Sequence, residues 1–392
     1  MRNRVCVVTG TRAEFGLLLP LLQRLNEENT VELQLVVTGS HLLAAFGNTQ
    51  EEIERSGIPI FARIPLRMTG DSKADMTVST GEAISAFAEF FAANKPDLLI
   101  LLGDRFEIFA AATAAALQGV VIAHIHGGET TEGAVDEFLR HAITKMSYLH
   151  FTACEEYRHR VIQLGEAPER VYNVGALGVE NIVHFPAIDR ETLSAELAFD
   201  LQHVPYAIVT LHPVTQEEDT AEAQAYALIK AMEHFPHMNF LITKANADAG
   251  GRSINVIWER EAPSHSNWKL VASLGMRRYL SALRNAAMML GNSSSGIIEA
   301  PALHVPTVNI GMRQSGRVLA SSVICCDASE RAIAAAMTEA LSEPFREVVK
   351  ETVCPFGDGQ TSAKMLRIIL DFLQSGERKE SKKVFYDVAF DV

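Results

Sequence analysis

Short apolar runs and amphipathic segments alternate along this chain from its first residues, and no other feature limits its possible folds so strongly. Val5–Thr9, Leu33–Thr38, Leu98–Leu102, Val120–Ile125 and Val171–Val174 are rich in Val, Ile and Leu and bounded by turn residues, the pattern of strands buried on both faces. Leu17–Leu25, Thr80–Ala92, Phe106–Leu117, Asp136–Met146 and Glu155–Leu164 fall between them with helical spacing. Such alternation predicts an α/β fold with a doubly wound parallel sheet.

The pattern breaks at the segment HFPAIDR around Phe185–Arg190 and then starts again. Tyr206–Leu211, Asn239–Thr243, Leu270–Val271, Met288–Leu290, Thr307–Ile310 and Val323–Cys326 read as the strands of a second sheet. A chain of 392 residues exceeds the size of one hydrophobic core, so two domains are expected, 1–185 and 186–361. A last helix over 362–376 ends at a candidate C′ glycine, Gly376. The remaining 377–392 begins with ERKESKK, read as a solvated tail, and ends in an apolar stretch able to dock.

Charge and composition remove whole classes of function. With 48% apolar and 21% charged residues the chain is a globular protein. A net charge of −13 gives no general attraction to nucleic acid or to an anionic membrane surface, so an anionic ligand needs local cations or helix N-termini. The first residues run directly into a strand pattern without a signal-peptide core, and no stretch has the apolar length of a membrane span. A cytoplasmic protein is expected. The five cysteines are scattered, and are read as reduced structural residues.

In open α/β sheets ligands collect at the carboxyl ends of strands, which directs attention to the residues that follow each apolar run. After the first comes Thr9-Gly10-Thr11-Arg12, a tight turn whose free N–H groups and Arg12 suit a phosphate, or which simply reverses the chain. Leu102 leads into Gly103-Asp104-Arg105, a carboxylate and a guanidinium at the sheet edge or a surface ion pair. His124-Ile125-His126-Gly127-Gly128-Glu129, followed by Asp136, Glu137, Arg140 and His141, concentrates groups that titrate near neutrality. In an extended strand His124 and His126 face one side, and on a helix Asp136 and Arg140 form an i,i+4 pair. Zinc is the competing reading of this segment, though no recognised ligand spacing is present.

In the second half Pro213 keeps His212 out of helical geometry at a strand tip. Gly291-Asn292-Ser293-Ser294-Ser295-Gly296 joins a strand to a helix. Its hydroxyls and N–H groups suit a diphosphate, and Glu299 just inside the helix could accept both ribose hydroxyls. Arg313 and Arg317, and Lys244 and Asn246, follow other strand ends.

Together TGTRAEFG, LLGDRFE, HIHGGE with VDEFLRHAITKMS, LHPVT, GNSSSGIIEAP and NIGMRQSGR resemble, in order and over nearly the whole length, the hydrolysing UDP-N-acetylglucosamine 2-epimerase family. The resemblance implies a GT-B-type pair of Rossmann-like domains with an interdomain cleft, UDP held mainly by the second, and a terminal helix crossing back to the first. It implies a UDP-sugar substrate, no cofactor and no metal, and a homodimer or homotetramer. The implied chemistry is anti elimination, in which a base takes the C2 proton as UDP leaves C1, followed by addition of water to the 2-acetamidoglucal.

Carried over by position, Asp104, Asp136 and His212 fall on acid–base positions and Arg12 on a phosphate contact. Ser293, Ser294, Glu299 and Arg313 fall on nucleotide contacts, with Arg105, Lys244, Asn246, Ser295 and Gly296 added as neighbouring binding residues. The chain has His126 where many relatives have a catalytic glutamate, so either His126 or Glu129 takes that role. HIHGGE with TEGA also resembles the subgroup acting on UDP-N,N′-diacetylbacillosamine, on the route to legionaminic acid. The alternatives are a non-hydrolysing epimerase, a GT-B glycosyltransferase, and a sensor that binds nucleotide sugar without turnover.

Overall fold

The computed structural model describes residues 2–43, 49–66, 73–130, 135–212, 221–245, 251–375 and 382–389. These form two compact units, one of Met1–Asn181 with Gly357–Val392 and one of Ile182–Phe356.

The first unit contains β1 (Asn3–Thr9), α1 (Arg12–Glu27), β2 (Val31–Thr38), α2 (Gln50–Arg55), β3 (Ile60–Ile64), α3 (Lys73–Ala93), β4 (Leu98–Leu102), α4 (Phe106–Leu117), β5 (Ile122–Ile125), α5 (Val135–Met146), β6 (Leu149–Thr152), α6 (Glu155–Gln163) and β7 (Val171–Asn173). After α7 (Leu177–His184) the second contains α8 (Arg190–Leu197), β8 (Tyr206–Thr210), α9 (Ala221–Glu233), β9 (Asn239–Thr243), α10 (Gly251–Glu261), β10 (Trp268–Val271), α11 (Gly275–Arg284), β11 (Met288–Gly291), α12 (Ser295–Ala302), β12 (Thr307–Ile310), β13 (Val323–Cys326), α13 (Glu330–Leu341) and α14 (Glu343–Glu351). The final α15 (Thr361–Gln374) belongs to the first unit again.

Each unit is a parallel sheet of the expected doubly wound class, with strand order β3-β2-β1-β4-β5-β6-β7 in the first and β10-β9-β8-β11-β12-β13 in the second. Strand β1 shows why both faces must be covered. Val5 and Val7 pack with Phe15 and Leu18 of α1 and Met365 of α15, while Cys6 and Val8 pack with Phe87 and Phe91 of α3 and Ile108 of α4. In β8, likewise, Ala207 and Val209 join one core and Tyr206 and Ile208 another.

Two strands escape the sequence pattern. Strand β3 is an edge strand whose residues are alternately half-buried and exposed up to buried Ile64, so it lacks a continuous apolar run. Strand β6 is fully buried but carries His150, which interrupts its apolar signal.

Helix α15 lies on α1 and buries Met365, Ile369, Phe372 and Leu373, each worth roughly 1.5–3 kcal/mol. Its first turn is fixed by Glu180, whose carboxylate accepts from the Ser362 N–H and hydroxyl at 2.6 Å each. Gly376, the candidate C′ residue, lies outside the described residues.

The expectation of a solvated tail needs correction at Lys383, which donates to the carbonyls of Lys145 and Ser147 and pairs with buried Glu166. An ammonium offered several acceptors in one pocket leaves water without leaving donors unmatched.

Candidate active site

Strand order reverses between β1 and β4 in the first unit and between β8 and β11 in the second. At such a switch point the connecting helices leave to opposite faces, which opens a crevice at the carboxyl ends of the two strands. The motifs after β1 and β4, and those after β8 and β11, follow the strands that flank these crevices, while HIHGGE follows the neighbouring β5 and NIGMRQSGR the neighbouring β12.

In the first unit β4 delivers Gly103-Asp104-Arg105, and the two charged side chains go separate ways. Asp104 is paired with Arg140 of α5, and the same guanidinium donates to the Glu129 carbonyl at 2.8 Å and reaches Glu137 at 3.5 Å. Glu137 also lies 3.2 Å from His141 Nε2. Burial raises the Asp104 pKa, Arg140 opposes that, and the charges of Asp136 and Glu129 add to the rise. This corrects the i,i+4 pairing expected for Asp136 and Arg140. Asp136 is exposed, and the helix instead directs Arg140 across to β4.

The two histidines of HIHGGE do not share a face. Strand β5 ends at Ile125, and His126 adopts a left-handed φ of 66°, which turns its side chain away from the strand direction. Its Nδ1 lies 3.0 Å from Glu129 Oε1, and its buried Nε2 has no hydrogen-bond partner among the described residues. His124 points inward, between the Thr144 hydroxyl at 3.1 Å and the Gly103 carbonyl at 2.8 Å. Burial lowers its pKa to about 3, so it stays neutral and is no acid–base group near neutrality.

The turn after β1 also differs from expectation. Thr11 and Glu14 form a capping box on α1, and Glu14 Oε2 accepts from the N–H groups of Gly10 at 2.8 Å and Thr11 at 3.1 Å, so those donors are already matched. Arg12 is exposed and paired with Glu52 at 2.9 Å. Arg105 lies 2.7 Å from Glu107 and 3.9 Å from Glu14. Glu107 is fully buried beside Gly10, where a Cβ would come within 2.6 Å of its Oε1. Burial first and the Glu107 charge second push the Glu14 pKa up to about 7.

In the second unit β8 and β11 are tied at their carboxyl ends. The Asn292 side chain accepts from the His212 N–H at 2.7 Å and donates to the His212 carbonyl at 2.8 Å, so buried His212 is set by β11. Gly291, at φ 133°, permits this approach, since a Cβ there would lie 2.0 Å from the Thr210 carbonyl oxygen.

Ser294 occupies the N-cap of α12 without a side-chain cap bond, and Ser293 Oγ accepts from the Ser295 N–H at 3.3 Å. Ser295 Oγ accepts from Tyr279 at 2.6 Å. Gly296 faces the sheet, where a Cβ would meet Thr307 at 2.7 Å, so its contribution is helix packing. Glu299 keeps a buried Oε2 without a partner among the described residues, and burial raises its pKa. Arg313 Nη1 donates to the Asn292 carbonyl at 3.2 Å. Lys244 is paired with Glu259, and Asn246 lies outside the described residues. Among the described residues no group of His, Cys, Asp or Glu is arranged to hold a metal ion.

A family model described as UDP-N-acetylglucosamine 2-epimerase matches residues 23–370. The chain belongs to the UDP-N-acetylglucosamine 2-epimerase family. Within it, the chain is similar to the GDP/UDP-N,N′-diacetylbacillosamine 2-epimerase (hydrolyzing) of Campylobacter jejuni, 37% identical over 82% of this chain and 84% of that one. It is also similar to the UDP-N,N′-diacetylbacillosamine 2-epimerase (hydrolyzing) of Legionella pneumophila, 35% identical over 94% of this chain and 96% of that one. Its fold matches the crystal structure of UDP-GlcNAc 2-epimerase from Neisseria meningitidis bound to UDP-GlcNAc, with a TM-score of 0.79, 18% identity, and coverage of 94% of this chain and 100% of that one.

In this member of the epimerase family, sequence reasoning overlooked Glu14, Glu107 and Asn292 as site-shaping residues. Glu107 had a detectable signal, a carboxylate three residues after Asp104 opening a helix that follows a buried strand. Asn292 had none, because its two bonds to His212 span 80 positions.

Proposed function

We propose that the chain is a hydrolysing nucleotide-sugar 2-epimerase acting on UDP-N,N′-diacetylbacillosamine, with UDP-N-acetylglucosamine as the related substrate. The names of the Campylobacter and Legionella relatives support that choice of sugar. A base takes the proton from sugar C2, the C–H electron pair forms the C1–C2 double bond, and the C1–O bond breaks with its electrons leaving on UDP. Water then adds across the glucal, hydroxyl to C1 and proton to C2 on the opposite face, which yields UDP and the free 2-epimer.

The observation that carries this reading is Asp104, a carboxylate raised by burial and held against Arg140, with Glu129, Glu137, His126 and exposed Asp136 close by. A proton-transfer group gains from a pKa moved toward the working pH and from a fixed neighbour that sets its direction. Asp104, Asp136 and His212 are the proposed acid–base groups, with His126 and Glu129 acting as a pair in place of the usual glutamate. The N-terminus of α12 with Ser293 and Ser294 suits the diphosphate, and the unpartnered Glu299 Oε2 suits a ribose hydroxyl. Arg313 is a further cation for the phosphates.

We also propose a cytoplasmic homo-oligomer serving a sialic- or legionaminic-acid-type route, the oligomer being open to test by sedimentation.

The reaction is tested by proton NMR in deuterated water with a panel of UDP- and GDP-sugars. Free 2-epimer carrying deuterium at C2 is expected. Product that keeps its C2 protium refutes the elimination, and an intact UDP-sugar epimer with no free sugar refutes hydrolysis.

A further inference from the structure

Helix α5 presents Asp136, Glu137, Arg140 and His141 in its first two turns, while its other end is closed by a residue 239 positions beyond Thr144. The last carbonyls of a helix lack intrahelical donors. Here Lys383 Nζ supplies them, donating to Lys145 at 2.6 Å, Ser147 at 2.7 Å and Thr144 at 3.5 Å. A cation at a helix C-terminus is favoured by the macrodipole as well.

Three features show that this contact is built. Glu166, fully buried, lies 2.7 Å from Lys383, 2.6 Å from Lys145 and 3.0 Å from His150, so its charge is matched on every side. Phe385 lies under the Lys145 ammonium at 4.8 Å and against Gly165, where a Cβ would stand 2.3 Å from the ring. The Tyr386 N–H donates to the Gly165 carbonyl at 3.0 Å.

From this clamp a continuous set of contacts leads to Asp104. Thr144, whose carbonyl faces Lys383, places its hydroxyl 3.1 Å from His124 Nδ1. His124 Nε2 lies 2.8 Å from the carbonyl of Gly103, the residue before Asp104. A carbonyl can only accept, so Nε2 carries the proton and Nδ1 accepts from Thr144, and one tautomer joins α5 to the end of β4.

We infer that Lys383, docked by the segment 382–389, is a positioning residue that sets Asp104 through Thr144 and His124 and holds Asp136 and Arg140 through the axis of α5. The inference rests on the proton-transfer role proposed for Asp104.

The test uses the full chain with Lys383→Met, Thr144→Val, their combination, and Phe385→Ser, which loosens the segment while leaving the lysine. Each single change is expected to lower kcat about tenfold with KM within about twofold, because small displacements of a proton-transfer group act on the chemical step. The combined variant should lose little more than either alone, since residues in one contact network are not additive. An unchanged kcat in Lys383→Met and Phe385→Ser overturns the inference, as do losses that multiply to about a hundredfold in the combined variant.

If Lys383→Met does not fold, Phe385→Ser decides alone. An inactive wild-type protein would refute the proposed reaction instead. In that case the His124 ring nitrogen shifts decide the clamp, altered in Phe385→Ser if it holds and unaltered if it does not.

Discussion

Replacing Glu14 by Gln should change how the stability of the first unit depends on pH. Its carboxyl, usually titrating near 4.5, is raised to about 7, above all by burial and then by the neighbouring Glu107 charge. A folded pKa above the unfolded one means that the native state binds the proton more tightly. Below about pH 4.5 both states are protonated and no penalty exists. As pH rises from 4.5 to about 7 the unfolded chain ionises first, so stability falls, and above about 7 the loss is complete.

The gap corresponds to about 3 kcal/mol, a large share of the stability of a typical domain. Glutamine keeps an oxygen for the Gly10 and Thr11 N–H groups and carries no charge to set against that of Glu107. The variant should therefore gain on wild type by about 3 kcal/mol between pH 4.5 and pH 8. Urea unfolding across that range, read by hydrogen exchange in β1 to isolate the first unit, measures the difference. Stability curves that run parallel for the two proteins would show that Glu14 is ionised in the fold and would refute the reasoning.

Asp104→Asn and His212→Ala should each lower kcat by about two orders of magnitude or more while UDP still binds, measured by product formation and calorimetry. Arg140→Met removes the guanidinium that opposes the raised pKa of Asp104, so the acid limb of the kcat/KM profile should move to higher pH, and an unmoved limb would count against Asp104 as the group that titrates. Ser294→Ala with Arg313→Ala should instead weaken UDP binding, each by about tenfold in Kd. Gly291→Ala, which would place a Cβ 2.0 Å from the Thr210 carbonyl, should destabilise the second unit by about 3 kcal/mol or more in thermal unfolding.

Both parallel sheets, the candidate residues on their carboxyl edges and the family are legible in the amino-acid sequence itself. A buried parallel strand must be apolar along its length, and a switch-point loop must carry its chemistry directly after such a strand, so linear order reports both. Runs such as Leu98–Leu102 followed by Gly103-Asp104 are local signals. The half-exposed β3 and the histidine-bearing β6 were lost because their burial depends on neighbours rather than on their own pattern.

Pairing was decided by the tertiary structure alone. Arg140 has Asp136 one turn away in sequence, yet the packing of α5 directs it to Asp104, 36 positions distant. His124 and His126 alternate as a strand would, but the left-handed turn at His126 sends one to Glu129 while the other is buried between Thr144 and Gly103. A sequence records which groups are available at a strand end. Which of them meet, and which titrate, depends on how elements remote in the chain exclude water from around them.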